Sequence, residues 1–145
     1  MVRAVAGSTD LYRAQHRELL VVAADLSRLL DVEHLNHGGG EARRLLRHLA
    51  GKLTIHLGME DRSLYPELLR SRDERLQRAA RRFQADLGGL RLRAQDFFQR
   101  WLGTDAISSD PRGFAAAARP FLHELQARIT TEDEELYPLA DEAGG

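Results

Sequence analysis

The phrase Glu60-Asp61-Arg62-Ser63-Leu64-Tyr65-Pro66 returns 72 residues later as Glu132-Asp133-Glu134-Glu135-Leu136-Tyr137-Pro138, with five of the seven positions identical. Each copy sets two acids ahead of a Leu-Tyr-Pro ending. A proline ring removes one backbone donor, so each copy must kink or end whatever helix carries it. The surrounding chain is rich in Ala, Leu, Arg, Glu and Gln, and its β-branched residues are sparse and scattered. That is helix-forming chemistry. The chain must therefore be a helical fold in which two helices carry the same acidic-aromatic phrase.

Apolar spacing predicts four long helices, approximately residues 10–34, 41–70, 72–102 and 111–140. The first follows the capping cluster Ser8-Thr9-Asp10 and carries Leu11, Leu19, Val22, Leu26, Leu29 and Leu30. Asn36 to Gly40 reads as a loop. The second helix carries Leu45, Leu46, Leu49, Leu53 and Leu57 into the first Leu-Tyr-Pro. Ser71 is placed to cap the third, which runs through Leu76, Phe83, Leu87, Leu90 and Phe97 to about Gly103. Asp110-Pro111, a cap followed by a first-turn proline, opens the fourth, with a bend expected at Pro120.

Helices of this size are each about 40–45 Å long at 1.5 Å per residue. Short connections between them imply an all-α, up-down-up-down antiparallel four-helix bundle, one domain over residues 1–145. The second and fourth helices then run parallel, and the two copies of the phrase lie at one depth. Gly51, Gly58, Gly88 and Gly89 fall inside helices at about 1 kcal/mol each, marking close approach or interior room.

Net charge is −1 with 30% charged residues, and arginine supplies nearly all the positive charge, singly or in pairs. No basic block suits nucleic acid, and nothing favours an acidic membrane surface. Cysteine is absent, which excludes disulfides and thiolate sites. No apolar run approaches the roughly 20 residues of a membrane span, and the first ten residues lack a secretory signal's apolar centre. A cytoplasmic location is expected. No nucleophile–base pair, phosphate loop or general-acid pair is present, so binding or regulation is expected rather than catalysis.

His56 and Glu60 stand at i and i+4, on one helical face flanked by Leu53, Leu57 and Leu64. A buried histidine beside a buried carboxylate needs partners, and a metal ion is one way to supply them. In isolation such a pair is more often a plain ion pair. The repeat shifts that balance, because Glu132 and Asp133 occupy the equivalent turn and His16 adds an imidazole from the first helix. Imidazoles and carboxylates converging from several helices build dinuclear non-haem sites, and such donors suit iron, manganese or zinc.

Blander readings apply elsewhere. Tyr65 and Tyr137 are expected in the core with hydroxyls satisfied near the bundle end. His34, His37 and His48 are expected at the surface, and Arg78 to Arg82 on a solvated face. Trp101 with Phe97, Phe98 and Phe114 reads as an aromatic plug or part of a homodimer surface.

On these residues the chain resembles the hemerythrin family in its bacterial HHE cation-binding form. The likeness covers nearly the whole chain: His16 on the first helix, His56, Glu60 and Leu64-Tyr65-Pro66 on the second, and the acidic Leu-Tyr-Pro ending on the fourth. The resemblance implies a four-helix bundle holding two oxygen-bridged irons that bind or sense dioxygen and related small molecules. It also implies a histidine pair on the third helix and a histidine opening the fourth-helix motif. Here the third helix has no histidine, its aligned positions being Gln84 and Gly88, and the fourth-helix position is Arg128. His123 lies too far away to substitute.

By the family's pattern the three missing imidazoles share one iron. The other iron would keep His16 and His56, with Glu60 and Asp133 bridging. The resemblance thus implies an incomplete site for at most one metal ion (iron, with zinc or manganese as alternatives) on His16, His56, Glu60, Asp133 and Glu132. Arg128 is expected to stand in as a metal-replacing cation. A metal-free regulatory module, and a full diiron site with unrecognised ligands, are the alternatives.

Overall fold

The computed structural model describes residues 2–144, with side chains described for 9–31, 33, 35–36 and 39–143. Among them the structure is helical throughout, without strands: α1 (Val2–Ser27), α2 (Val32–Met59), α3 (Tyr65–Leu69), α4 (Glu74–Leu87), α5 (Leu90–Trp101), α6 (Ala106–Ser109), α7 (Pro111–Thr131) and α8 (Tyr137–Gly144). Two π-turns, Glu60–Leu64 and Glu132–Leu136, join α2 to α3 and α7 to α8 without a break. α1 packs on α2, α7 and α8; α2 on α5 and α7; α4 on α3 and α8.

Several boundaries differ from the expected ones. Helix α1 is already helical at Val2, so Ser8-Thr9-Asp10 is not its start. Thr9 lies buried within the helix, and its hydroxyl donates to Asp141 of α8. α1 also ends at Ser27 rather than near 34, because Asp31 caps the next helix by accepting the Glu33 N–H at 2.9 Å. The expected loop at Asn36–Gly40 is helix. Leu35 anchors that stretch in the core, and a Cβ on Gly39 would lie 3.5 Å from Ser108 of α6, an ordinary contact. His48 is exposed; the side chains of His34 and His37 lie outside the described residues.

The third expected helix is two. Asp73, not Ser71, caps α4 by accepting from Arg75 and Leu76. Gly88 and Gly89 then separate α4 from α5. A Cβ on Gly88 would stand 2.4 Å from the Gln84 carbonyl oxygen, so a side chain there would force the turn apart. Asp110 caps α7 with Pro111 in its first turn, as the dipeptide implies, and α7 continues through the exposed Pro120.

Apolar burial, worth about 1.5–3 kcal/mol for each large side chain, is divided between two clusters. The larger gathers Leu19, Leu26, Leu53, Leu57, Leu125 and Ile129 with the aromatic group Phe97, Phe98, Trp101, Phe114 and Phe121. The smaller gathers Tyr12, Leu64, Tyr65, Phe83, Leu136 and Tyr137. Between them runs a buried polar layer. Along α1 the order is Tyr12, His16, Leu19; along α2 and its π-turn it is Leu57, Glu60, Leu64; along α7 and its π-turn it is Ile129, Glu132, Leu136. The glycine break between α4 and α5 falls where α4 serves one cluster and α5 the other.

Candidate metal centre

The polar layer consists of His16, His56, Glu60, Arg128 and Glu132, all at most 3% exposed. One donor atom from each of His16, His56, Glu60 and Glu132 lies within 4.8 Å of the others. The His16 and His56 Nε2 atoms face each other at 3.0 Å. Glu132 Oε1 is 3.2 Å from His16 Nε2, and Glu60 Oε1 is 3.3 Å from His56 Nε2.

Each imidazole is oriented from behind. His16 Nδ1 donates to Asp133 Oδ1 at 2.8 Å, and His56 Nδ1 donates to Gln15 Oε1 at 2.6 Å. With both Nδ1 atoms protonated, both Nε2 atoms are directed inward, the arrangement that outer hydrogen bonds impose on metal-binding histidines. Two inward lone pairs and two carboxylate oxygens repel unless a proton or a cation lies among them. With His16 Nε2 unprotonated 3.2 Å away, Glu132 Oε1 is also the one buried side-chain nitrogen or oxygen among the described residues without a hydrogen bond. A buried orphan oxygen beside two inward nitrogens fits a metal ion, and two nitrogen and two oxygen donors suit iron, manganese or zinc.

The remaining carboxylate oxygens are held by the repeat itself. Tyr65 of the first copy donates to Glu132 Oε2 of the second at 2.8 Å, and Tyr137 of the second donates to Glu60 Oε2 of the first, also at 2.8 Å. Both hydroxyls thus bond the site's carboxylates at the polar layer, where the sequence had suggested the bundle end. In each copy the tyrosine N–H bonds the glutamate carbonyl five residues back. This wider turn admits the following proline, whose missing N–H falls in the first turn of the next helix.

Arg128 points inward. Its Nη2 donates to Glu60 Oε1 at 2.9 Å, its Nε to Glu132 Oε2 at 3.3 Å, and its Nη1 to the Leu87 carbonyl at 3.0 Å. The Gly88–Gly89 break leaves carbonyls at the end of α4 without helical partners, and the guanidinium serves one of them.

Electrostatics separate the two acids. Burial disfavours the charge on Glu60, but the neighbouring His56 and Arg128 outweigh it and lower its pKa. For Glu132, burial and the nearby Glu60 charge prevail over His16 and Arg128, and its pKa is raised. Burial works against a charged His16, yet Glu132, Glu60 and Asp133 together raise its pKa. Tyr12, desolvated and facing Glu60 and Glu67, is pushed up to about 12.

Of the residues singled out in the sequence, His16, His56, Glu60 and Glu132 come together. Asp133 does not join their donor atoms. Its carboxylate, 30% exposed, bonds the far side of His16. Gln84 and Gly88 are both exposed, whereas Phe83 and Leu87, at the same spacing one residue earlier, pack against the smaller cluster. The register shifts because the apolar face of α4 is set by Leu76, Ala80 and Phe83. His123 is exposed. No spacing rule singles out Gln15, and only its hydrogen bond to His56 reveals its role.

No helix among the described residues is long and apolar enough to cross a membrane. No curated protein and no solved structure matches the chain. A family model, the hemerythrin HHE cation binding domain, matches residues 8–140. With the match covering every element that supplies the polar layer, the chain belongs to the hemerythrin HHE cation-binding family.

Proposed function

We propose that this domain holds a single divalent metal ion on His16, His56, Glu60 and Glu132, and that Arg128 fills the half of the centre where a second ion would lie. Iron is the foremost candidate, with zinc or manganese as alternatives. The observation that carries this reading is the convergence of four buried donors, one of them the orphan Glu132 Oε1. Asp133 and Gln15 act behind the histidines rather than on the ion. The helical lengths act as four rods (α1; α2 with α3; α4 with α5; α7 with α8) in an up-down-up-down bundle, which sets both copies of the repeat at one depth.

A ferrous ion bound there supplies one-electron chemistry and affinity for a small ligand such as dioxygen. The chain's own residues keep both imidazoles turned inward, exclude water with two apolar clusters, and hold the carboxylates by tyrosine and guanidinium. Reversible oxygen carriage in the family's manner needs two irons to share the electrons, so the role proposed is sensing or regulation. A second, metal-free reading draws on Arg128, which already bonds both glutamates and makes the layer partly self-sufficient.

Elemental analysis of untagged protein after anaerobic reconstitution with ferrous iron tests this. One ion per chain is expected, abolished by His16→Ala or His56→Ala. Two ions per chain would overturn the reading in favour of a complete diiron site. None would leave the metal-free regulatory module.

A further inference from the structure

All four donors are shut away from solvent, so an ion needs a way in. Leu19, Leu53 and Leu57 close the layer on one side, and Tyr12, Tyr65 and Tyr137 close it on the other. Arg128 and the Leu87 carbonyl occupy the α4 side. Between α1 and α2, however, lies a cavity of about 150 Å³, lined by Gln15, Glu18, Leu19, Lys52 and Ile55. Of the cavities described it is the one whose wall includes a residue bonded to a donor histidine, since Gln15 Oε1 accepts from His56 Nδ1 at 2.6 Å.

The Gln15 side chain stands between that notch and the Nδ1 edge of His56, and turning it aside would free the ring to swing its Nε2 toward the notch. Its amide nitrogen is tethered only by Met59 Sδ at 3.4 Å, a weak acceptor. At the mouth, Lys52 Nζ and Glu18 Oε2 pair across the two helices at 3.0 Å, and both side chains are partly exposed, so they can part readily. The Glu18 carboxylate then meets an arriving cation at the rim. Ile55, 62% exposed, stands beside it.

We propose that this notch is the route by which a metal ion reaches the His16–His56 pair, with the Gln15 side chain as its door. The inference rests on the single-ion reading above. It differs from a merely orienting role for Gln15, because a door controls uptake and release alike. An orienting hydrogen bond controls affinity, typically by 10–100-fold, mainly through release.

The test follows cobalt(II) uptake by visible absorbance in stopped flow and its release to excess EDTA. Wild type, Gln15→Ala and Ile55→Trp are compared, with far-UV circular dichroism to confirm folding. Gln15→Ala should raise the uptake rate about tenfold, the factor for losing one closing hydrogen bond, and speed release as well. Ile55→Trp, which overhangs the notch without entering the core, should slow both and leave the equilibrium affinity unchanged. Faster release with unchanged uptake in Gln15→Ala would overturn the door and leave an orienting residue. Unchanged rates in both variants would overturn the route. A wild-type chain that takes up no cobalt would remove the single-ion reading itself, a result separable from the other two.

Discussion

Replacing Arg128 by methionine keeps most of the side chain's bulk and removes the guanidinium that bonds both buried glutamates. Three hydrogen bonds go with it, to Glu60 at 2.9 Å, Glu132 at 3.3 Å and the Leu87 carbonyl at 3.0 Å. Removing one partner of a buried ion pair costs about 3–5 kcal/mol, because the other charge stays behind uncompensated. Against a domain stability of about 5–15 kcal/mol this is a large share. The cost has a ceiling, since Glu60 can escape part of it by taking up a proton.

Urea unfolding of the metal-free protein, followed by the fluorescence of the buried Trp101, reads the effect directly. With a slope of about 2 kcal/mol/M, a loss of about 4 kcal/mol lowers the midpoint by about 2 M. Adding Glu60→Gln and Glu132→Gln to Arg128→Met should restore most of the loss, because the acids that needed the cation are then gone. Saturating zinc should also shrink it, the ion compensating the same carboxylates. An Arg128→Met midpoint equal to wild type would refute the claim that the guanidinium balances this layer.

Tyr137→Phe should destabilise the chain by about 1–3 kcal/mol in thermal or urea unfolding, since it leaves Glu60 Oε2 without its donor, and Tyr65→Phe by less, since Arg128 Nε still donates to Glu132 Oε2. Equal effects would show that the Arg128 Nε bond does not sustain Glu132 Oε2. The raised pKa of His16 gives the metal-free form a defined pH response. Its stabilising contribution is complete below the ordinary value of 6.5 and is lost as pH rises through the higher folded value, so His16→Gln should flatten the stability profile there. For the same reason, metal binding should release protons to a pH indicator in weakly buffered solution, and affinity should rise with pH. Arg128→His, which writes a histidine at the fourth-helix position, should still bind one ion per chain by elemental analysis, because Phe83 and Leu87 offer no ligands opposite.

The helical class and the inward face bearing His56 and Glu60 were legible because both rest on periodicity that packing then used. Helix limits were less so. Leu29 and Leu30 extend the apolar pattern of α1, yet Asp31 caps the next helix and turns the chain before the pattern ends. Three consecutive glycines read as a loop because propensity alone ranks them so, while Asp31 and the buried Leu35 carry the helix through. Choosing between Glu132 and Asp133 needed the geometry of the π-turn, since adjacent residues differ by about a quarter turn and one extra residue in the ladder re-aims both. The tyrosine hydroxyls were misplaced for a related reason. In a regular helix residue i+5 leaves the face of residue i, and only the wider turn keeps Glu60 and Tyr65 together.

The duplicated phrase can be understood through what precedes each copy. Four residues before Glu60 stands His56, and four residues before Glu132 stands Arg128, so equivalent positions hold a titratable ring and a permanent cation. Each acid takes its own helix's partner and reaches across for the other, Glu60 to Arg128 and Glu132 to His16. With both acids ionised the layer carries two negative charges, and Arg128 cancels one. The remaining one must be met by a proton held between His16 and Glu132, whose pKa values are both raised, or by a metal ion that displaces it. A second divalent ion in the space of Arg128 would leave the layer in excess of positive charge, as would one ion with both histidines protonated. One divalent ion, two neutral imidazoles and one guanidinium give a net charge of +1, the smallest imbalance open to a metal-loaded layer that keeps its arginine.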